Sequence, residues 1–186
     1  MQLAVPEISF DFRQIAPVDE FAAELFIKAK PGLPALLRRM IGMLIEPMLK
    51  RVDAAAGSVL LHGFSRGSTN VYAVAALDAV SRNRFFSYVV ANAGGAAPDY
   101  PPTRRLMEGA YGDRPYAGQR WITACSARDP DPDRDGCPAM QSAASLVRKL
   151  GGDVVLAIAD AQGGHGAFHR NPANVERVLA LFVSRQ

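Results

Sequence analysis

The segment Gly63-Phe64-Ser65-Arg66-Gly67 sets a serine in a G-x-S-x-G frame, between the apolar run Ser58-Val59-Leu60-Leu61 and the alanine- and valine-rich stretch Ser68 to Val80. That frame has a physical logic. A serine at a strained strand-to-helix turn projects its hydroxyl clear of a sheet, and small neighbours let strand and helix pass closely. The Arg66 N–H, at the start of the following helix, is then placed to donate to a developing oxyanion. A serine hydroxyl becomes a nucleophile only when a base takes its proton. The chain has three histidines, His62, His165 and His169. His62, three residues before the serine, reads as a packed residue near the site. His165 lies in Gly163-Gly164-His165-Gly166, where glycines on both sides permit close backbone approach, and is the preferred base. His169 reads as a loop residue that positions its neighbours.

A histidine base needs an acid to hold its tautomer and stabilise its cation. Asp129 follows the apolar run Trp121-Ile122-Thr123-Ala124-Cys125 after a short loop and is the first choice, with Asp131 and Asp135 as alternatives in the same acidic loop. Asp160, at the end of another apolar run, reads as structural. Asp131-Pro132-Asp133-Arg134-Asp135-Gly136 matches the first half of a calcium loop, but its twelfth position is Ser142 where a bidentate glutamate belongs. The segment therefore reads as a solvated, proline-stiffened loop presenting the acid, with no metal.

The elements that must position these groups alternate in kind. Apolar runs at Ser58–Leu61, Phe85–Ala91, Trp121–Cys125 and Val154–Ala159 predict buried strands, and the alternating Ile8–Phe12 predicts a fifth. Helices are expected at Phe21–Lys30, at Leu33–Ala56 (kinked or split at Pro47), at Ser68–Val80, at Ala139–Leu150 and at Ala173–Ser184. Asn171-Pro172 supplies the last with a cap and a first turn. The expectation is a single α/β domain over residues 1–186, with a largely parallel sheet of about five strands flanked by helices. Active groups in such folds gather at the carboxyl ends of the strands. Residues 96–119, rich in Pro, Gly and Tyr, are either a lid or substrate-binding excursion or a solvated connection with a short helix at Thr103–Gly109.

With His62-Gly63-Phe64-Ser65-Arg66-Gly67, Ser126-Ala127-Arg128-Asp129 and Gly164-His165-Gly166 in this order, the chain resembles the α/β-hydrolase superfamily from Ser58 to its C-terminus. Within it, the chain looks more like the branch that hydrolyses polyesters or feruloyl esters than the peptidase branch. The resemblance implies a serine hydrolase: acyl-enzyme formation at Ser65, proton shuttling by His165 and orientation by Asp129; the first expectation is an esterase without a cofactor. It departs at the N-terminus, where members of the superfamily have several strands before the nucleophile and this chain shows one. The chain thus reads as a minimal version, with Arg13-Gln14-Ile15 as the candidate for the second oxyanion N–H. The alternatives are a peptidase of the same mechanism and a hydrolase-like binding module with impaired catalysis.

Composition excludes other classes. Of 186 residues, 49% are hydrophobic and 21% charged, which is globular and not disordered. No apolar run reaches the ~18 residues of a membrane span. A net charge of +3 with intermixed signs offers no basic stripe for nucleic acid. Met1 to Phe12 lacks a signal-peptide pattern. Cys125 and Cys137 are too few for a four-ligand zinc site and are one disulfide or two thiols. A bond between them would close a small ring around the acidic loop and restrain Asp129, and that reading places the protein in an oxidising compartment, secreted or periplasmic; free thiols would place it in the cytoplasm. The partner expected is a small-molecule or polymeric ester, and unpaired sheet edges admit a homo-oligomer.

Overall fold

Apolar runs that lack polar alternation become central strands only when both faces of the sheet are covered, and that is the architecture observed. The computed structural model describes residues 57–80 and 84–184. Four strands, β1 (Val59–Phe64), β2 (Phe86–Asn92), β3 (Arg120–Ser126) and β4 (Asp153–Asp160), form one sheet in the order β1-β2-β3-β4, and every neighbouring pair is parallel. Between them run α1 (Arg66–Val80), α2 (Pro101–Met107) and α3 (Cys137–Lys149); α4 (Ala167–Arg170) and α5 (Pro172–Val183) follow β4. The fold is α/β, as expected, with four strands among the described residues rather than five. The expected strand at Ile8–Phe12, the helices at Phe21–Lys30 and Leu33–Ala56, and the Arg13-Gln14-Ile15 loop lie outside the described residues.

Strand pleating divides the core in two. Phe86, Val89 and Ala91 of β2 and Trp121 of β3 face α1, α2 and α3, packing with Val71, Tyr72, Leu77, Leu106, Met140 and Val147. Tyr88, Val90, Ile122, Ala124 and Ile158 face the other way, onto Phe168 of α4 and Val178 and Phe182 of α5. A sequential parallel order built from right-handed crossovers puts all three connecting helices on one face. The last helix must then close the other.

The segment expected as a lid or connection, residues 96–119, is fastened to the first core. Trp121 stacks on Tyr72 with ring centroids 5.6 Å apart, and Tyr116 packs against the same indole at 4.6 Å. The Tyr116 hydroxyl donates to the Tyr72 carbonyl at 2.8 Å, and Gln119 Nε2 donates to the Ala75 carbonyl at 3.0 Å. Nearer the strand ends, the Tyr100 hydroxyl donates to Asn70 Oδ1 at 2.7 Å. Its helix, α2, begins two residues before the expected Thr103, because Pro101 and Pro102 fit a first turn, where no N–H is missed.

Helix starts explain the other shifts in boundary. At α3 the helix opens on Cys137-Pro138 behind Gly136, ahead of the expected Ala139. At α5 the Asn171 side chain accepts from Ala173 N and the helix opens on Pro172. The short helix α4 has no counterpart among the expected elements; four residues are too few for a periodic signal.

The tightest backbone passage is at Gly94, just beyond β2. A Cβ there would strike the Ser65 carbonyl and come within 2.8 Å of Ser68 Cβ. Its own carbonyl accepts from Ser68 Oγ at 2.7 Å and Tyr72 Oη at 3.0 Å. Gly94→Ala is therefore expected to destabilise the fold by about 1–3 kcal/mol, the usual cost of overpacking a closed site. Urea unfolding with an unchanged m-value checks this.

Candidate active site

The turn that carries Ser65 is a single residue. β1 ends at Phe64 and α1 begins at Arg66, shorter than the Gly63–Gly67 turn expected. Ser65 itself takes φ +56°, a left-handed conformation rare for a residue with a side chain. Two hydrogen bonds hold it there: Ser65 N donates to the Asn92 carbonyl at 2.9 Å, and its carbonyl accepts from Thr69 N at 3.1 Å. A Cβ at Gly63 would run into the Gly67 backbone and within 2.5 Å of Val71 Cγ1, so this glycine is what lets strand and helix pass. A Cβ at Gly67 would meet open space. The two glycines of the frame are thus not equivalent: the first is a steric necessity. Arg66 N lies in the first turn of α1, among the N–H groups that a helix leaves without an internal acceptor.

His165 comes from the loop after β4. Its Nε2 lies 2.9 Å from Ser65 Oγ and its Nδ1 lies 2.9 Å from Asp129 Oδ2. A carboxylate only accepts, so Nδ1 donates to Asp129 and Nε2 is left to accept from the serine hydroxyl. The loop is pinned by Asp160 at the end of β4. Its Oδ1 accepts from Gln162 N and Gly163 N, both at 2.9 Å, and its Oδ2 accepts from Asn171 Nδ2 at 3.1 Å and Asn174 Nδ2 at 3.0 Å. Those bonds, led by the one from Gly163, hold the carboxyl well below the usual carboxylate range. Ser126 Oγ donates to the Gly163 carbonyl and adds a tie to β3.

Phe64 flanks the imidazole, with ring centroids 5.0 Å apart, and His169 meets the same phenyl edge-on at 4.7 Å. His62 packs against Phe168 at 5.6 Å and His169 at 5.3 Å. Burial, with His169 beside it, pushes the His62 pKa down to about 4, so its ring is neutral near pH 7. His62 and His169 thus stand beside the site while His165 alone bridges serine and acid. Phe64, the variable position of the frame, gave no signal in the sequence beyond being apolar.

The acid loop sorts its aspartates. Asp129 has a fully buried side chain; Oδ1 accepts from Asp131 N at 3.0 Å and Oδ2 is turned to His165. Asp131 pairs instead with Arg134, at 3.2 Å. Asp135 is buried too, with Oδ2 accepting from Arg134 Nε at 2.9 Å and Nη2 at 2.6 Å and standing 3.9 Å from His165 Nδ1. Cys125 and Cys137 form a disulfide, Cα atoms 5.0 Å apart, that closes the loop between β3 and α3. Asp129, Asp135 and His165 offer ligand atoms within 4.8 Å of one another, but Arg134 already neutralises Asp135 and Nδ1 is engaged by Asp129. Asp131, Asp133 and Asp135 do not converge as a calcium loop requires, since Asp131 and Asp135 both turn to Arg134 and Asp133 is exposed.

A scan against known protein families finds no match, and neither does a search of the curated proteins. Among solved structures the chain is similar to Pyrococcus horikoshii acylaminoacyl peptidase, with a TM-score of 0.47 and 14% identity over 75% of this chain. The chain spans 25% of that peptidase chain. Among the described residues, no helix is long and apolar enough to cross a membrane.

Asp160 yields a signed pH prediction. Its carboxyl is depressed in the folded state, so its contribution is complete above the unfolded value of about 4 and is lost as pH falls below it. The stability difference between the parent and Asp160→Ala, measured by urea unfolding, is expected to be constant from about pH 7 to pH 5 and to shrink by pH 3.

Proposed function

We propose that the protein is a serine hydrolase that cleaves carboxylic esters through an acyl-enzyme on Ser65. One observation carries the reading: Ser65, His165 and Asp129 form a continuous hydrogen-bonded relay on a serine held at positive φ between a parallel strand and a helix. A strained backbone persists only where its surroundings over-determine it, and such strain gathers at reactive sites. The strand–turn–helix context is also what gives a G-x-S-x-G frame its chemical meaning.

The steps follow from the geometry. As Ser65 Oγ attacks the ester carbonyl carbon, its proton passes to His165 Nε2 and the carbonyl π pair moves onto oxygen. The Arg66 N–H donates to that oxyanion. Asp129 holds the imidazolium so formed through Nδ1. Collapse of the tetrahedral species re-forms the carbonyl and breaks the bond to the alcohol oxygen, which leaves with the proton from Nε2. Water then repeats the sequence on the acyl-enzyme, with His165 taking its proton and returning one to Ser65. No cofactor takes part. Within this reading residues 96–119 are a fixed wall of the substrate cleft, since Tyr111, Tyr116 and Leu106 are buried in the core and Tyr100 is tied to α1. The disulfide supports an oxidising location, secreted or periplasmic.

A fluorophosphonate is expected to leave a single adduct, mapped to Ser65 by peptide mass analysis, and none in Ser65→Ala. Hydrolysis of an activated ester is expected to fall by about 10³-fold or more in Ser65→Ala and His165→Ala, as when other serine hydrolases lose a member of the relay. A panel of matched esters and anilides is expected to show turnover of the esters. Anilide turnover at a comparable rate would move the assignment to a peptidase, and a folded protein that takes no label would move it to a binding module.

Mild reduction is expected to lower the melting temperature, because the disulfide closes a ring spanning a sequence separation of 12 residues. Chain entropy alone sets that contribution at about 3 kcal/mol for a loop of similar length. Calorimetry with and without reductant measures it.

A further inference from the structure

The side of His165 that faces Asp129 also faces a second carboxylate that the relay as described leaves idle. Asp135 Oδ2 stands 3.9 Å from Nδ1, one ångström beyond the Asp129 oxygen, and its side chain is only 4% exposed. Two buried carboxylates this close repel each other unless something intervenes. Arg134 intervenes. It grips Asp135 Oδ2, the oxygen nearest the imidazole, through Nε and Nη2, and its Nη1 reaches Asp131.

The loop backbone fixes this placement. Asp135 N and Gly136 N both donate to the Asp131 carbonyl, at 2.9 and 3.1 Å, and Gly95 N donates to the Arg134 carbonyl at 2.9 Å. A Cβ at Gly136 would fall 2.6 Å from Pro132 Cα, so the turn closes only around glycine. Cys137 then ties the following residue to β3.

We propose that Asp135 is a second positioning residue for His165, held in reserve by Arg134, so that the imidazole is addressed by a pair of carboxylates rather than by Asp129 alone. This rests on the serine-hydrolase reading of the site. In the resting arrangement Asp129 accepts from Nδ1, while Asp135, its charge offset by Arg134, stands 3.9 Å from the same nitrogen. When Asp129 is removed, a shift of about 1 Å closes Nδ1 onto Asp135 at hydrogen-bonding distance, and the tautomer that leaves Nε2 free is kept. Arg134 opposes that shift by occupying the oxygen.

The test compares kcat and KM for an activated ester in the parent, Asp129→Ala, Asp135→Asn, Asp129→Ala/Asp135→Asn and Asp129→Ala/Arg134→Met, with circular dichroism to establish that each variant is folded. Removing the sole acid of such a relay costs about 10⁴-fold in kcat. With Asp135 in reserve, Asp129→Ala is expected to lose roughly 10–100-fold, Asp135→Asn a few-fold, and the double variant the full ~10⁴-fold, all with KM within about twofold of the parent. Releasing Asp135 by Arg134→Met is expected to raise kcat in the Asp129→Ala background, whereas an Arg134–Asp135 pair that served only to hold the loop would make it fall.

The idea is overturned if Asp129→Ala alone loses the full ~10⁴-fold and the second substitution adds nothing, or if Arg134→Met lowers kcat in that background. Should Asp129→Ala not fold, Asp129→Leu in the same set, which fills the buried space and brings no donor that could reverse the imidazole tautomer, gives the same comparison. Ser65→Ala, run alongside, separates the two claims. If it hydrolyses the ester as fast as the parent, the hydrolase reading has failed; if it is inactive while the aspartate series fails, only the role of Asp135 has.

Discussion

The site depends on one constrained residue. Ser65 has to adopt φ +56° for its hydroxyl to meet His165, and a left-handed turn of one residue is compatible with a strand and a helix only when they nearly touch. Everything adjacent bends to that requirement. Gly63 removes a Cβ that would strike Gly67 and Val71, and Gly94 removes one that would strike the Ser65 carbonyl. Asn92 at the end of β2 offers its carbonyl to the Ser65 N–H, so the neighbouring strand determines where the turn sits. Ala93, next in the chain, itself takes φ +49°. The strain is thus shared between two adjacent strand ends. It is held by the hydrogen-bonded sheet on one side and the buried Ser68–Tyr72–Gly94 contacts on the other.

The three side chains of the proposed relay come from three strand ends, and each is stabilised differently. Ser65 is held by backbone sterics. Asp129 is held by burial and by a loop sealed with a disulfide. His165 is held by the carboxylate of Asp160, whose four acceptor contacts turn a glycine-rich loop into a defined shelf. This division explains why the loop tolerates three glycines without losing the imidazole. Polar contacts from Asp160 and Ser126 substitute for the side-chain packing that the glycines lack.

Much of this was legible in the sequence because it follows from short-range pattern. Four apolar runs marked the four described strands, and Asn171-Pro172 and Pro138 marked helix starts. The G-x-S-x-G frame and the glycine-flanked His165 marked the residues that the structure brings together. The acid was ambiguous for a physical reason. Asp129, Asp131 and Asp135 share one loop, and only the path of its backbone decides that Asp131 turns to Arg134 while Asp129 turns inward. Asp160 read as structural, but its four partners lie 2, 3, 11 and 14 residues away, and no local pattern encodes such a set. The contacts of Phe64 and Ser126 with the His165 loop gave no signal of their own, because an apolar strand residue and a strand-end serine are too common to mark a partner. The extent of packing of residues 96–119 was also hidden, since the proline- and glycine-rich stretch spaces its buried Tyr111 and Tyr116 without any period.

The parallel order β1-β2-β3-β4 also has a bearing on when the Ser65–His165–Asp129 relay can assemble. Ser65 and His165 are 100 residues apart in the chain, and the base arrives only with the last strand. A chain emerging from synthesis presents Ser65 first, Asp129 second and His165 last, and distant pairings form late in folding. β4 is also an edge of the described sheet, with residues exposed on its outer positions, and edges open before centres. In an incompletely folded or locally frayed chain Ser65 therefore lacks the Nε2 partner that it meets in the full structure. Under the proposed function, competence would appear only when β4 seats and vanish when it lifts, so the relay would double as a check that the described sheet is in place.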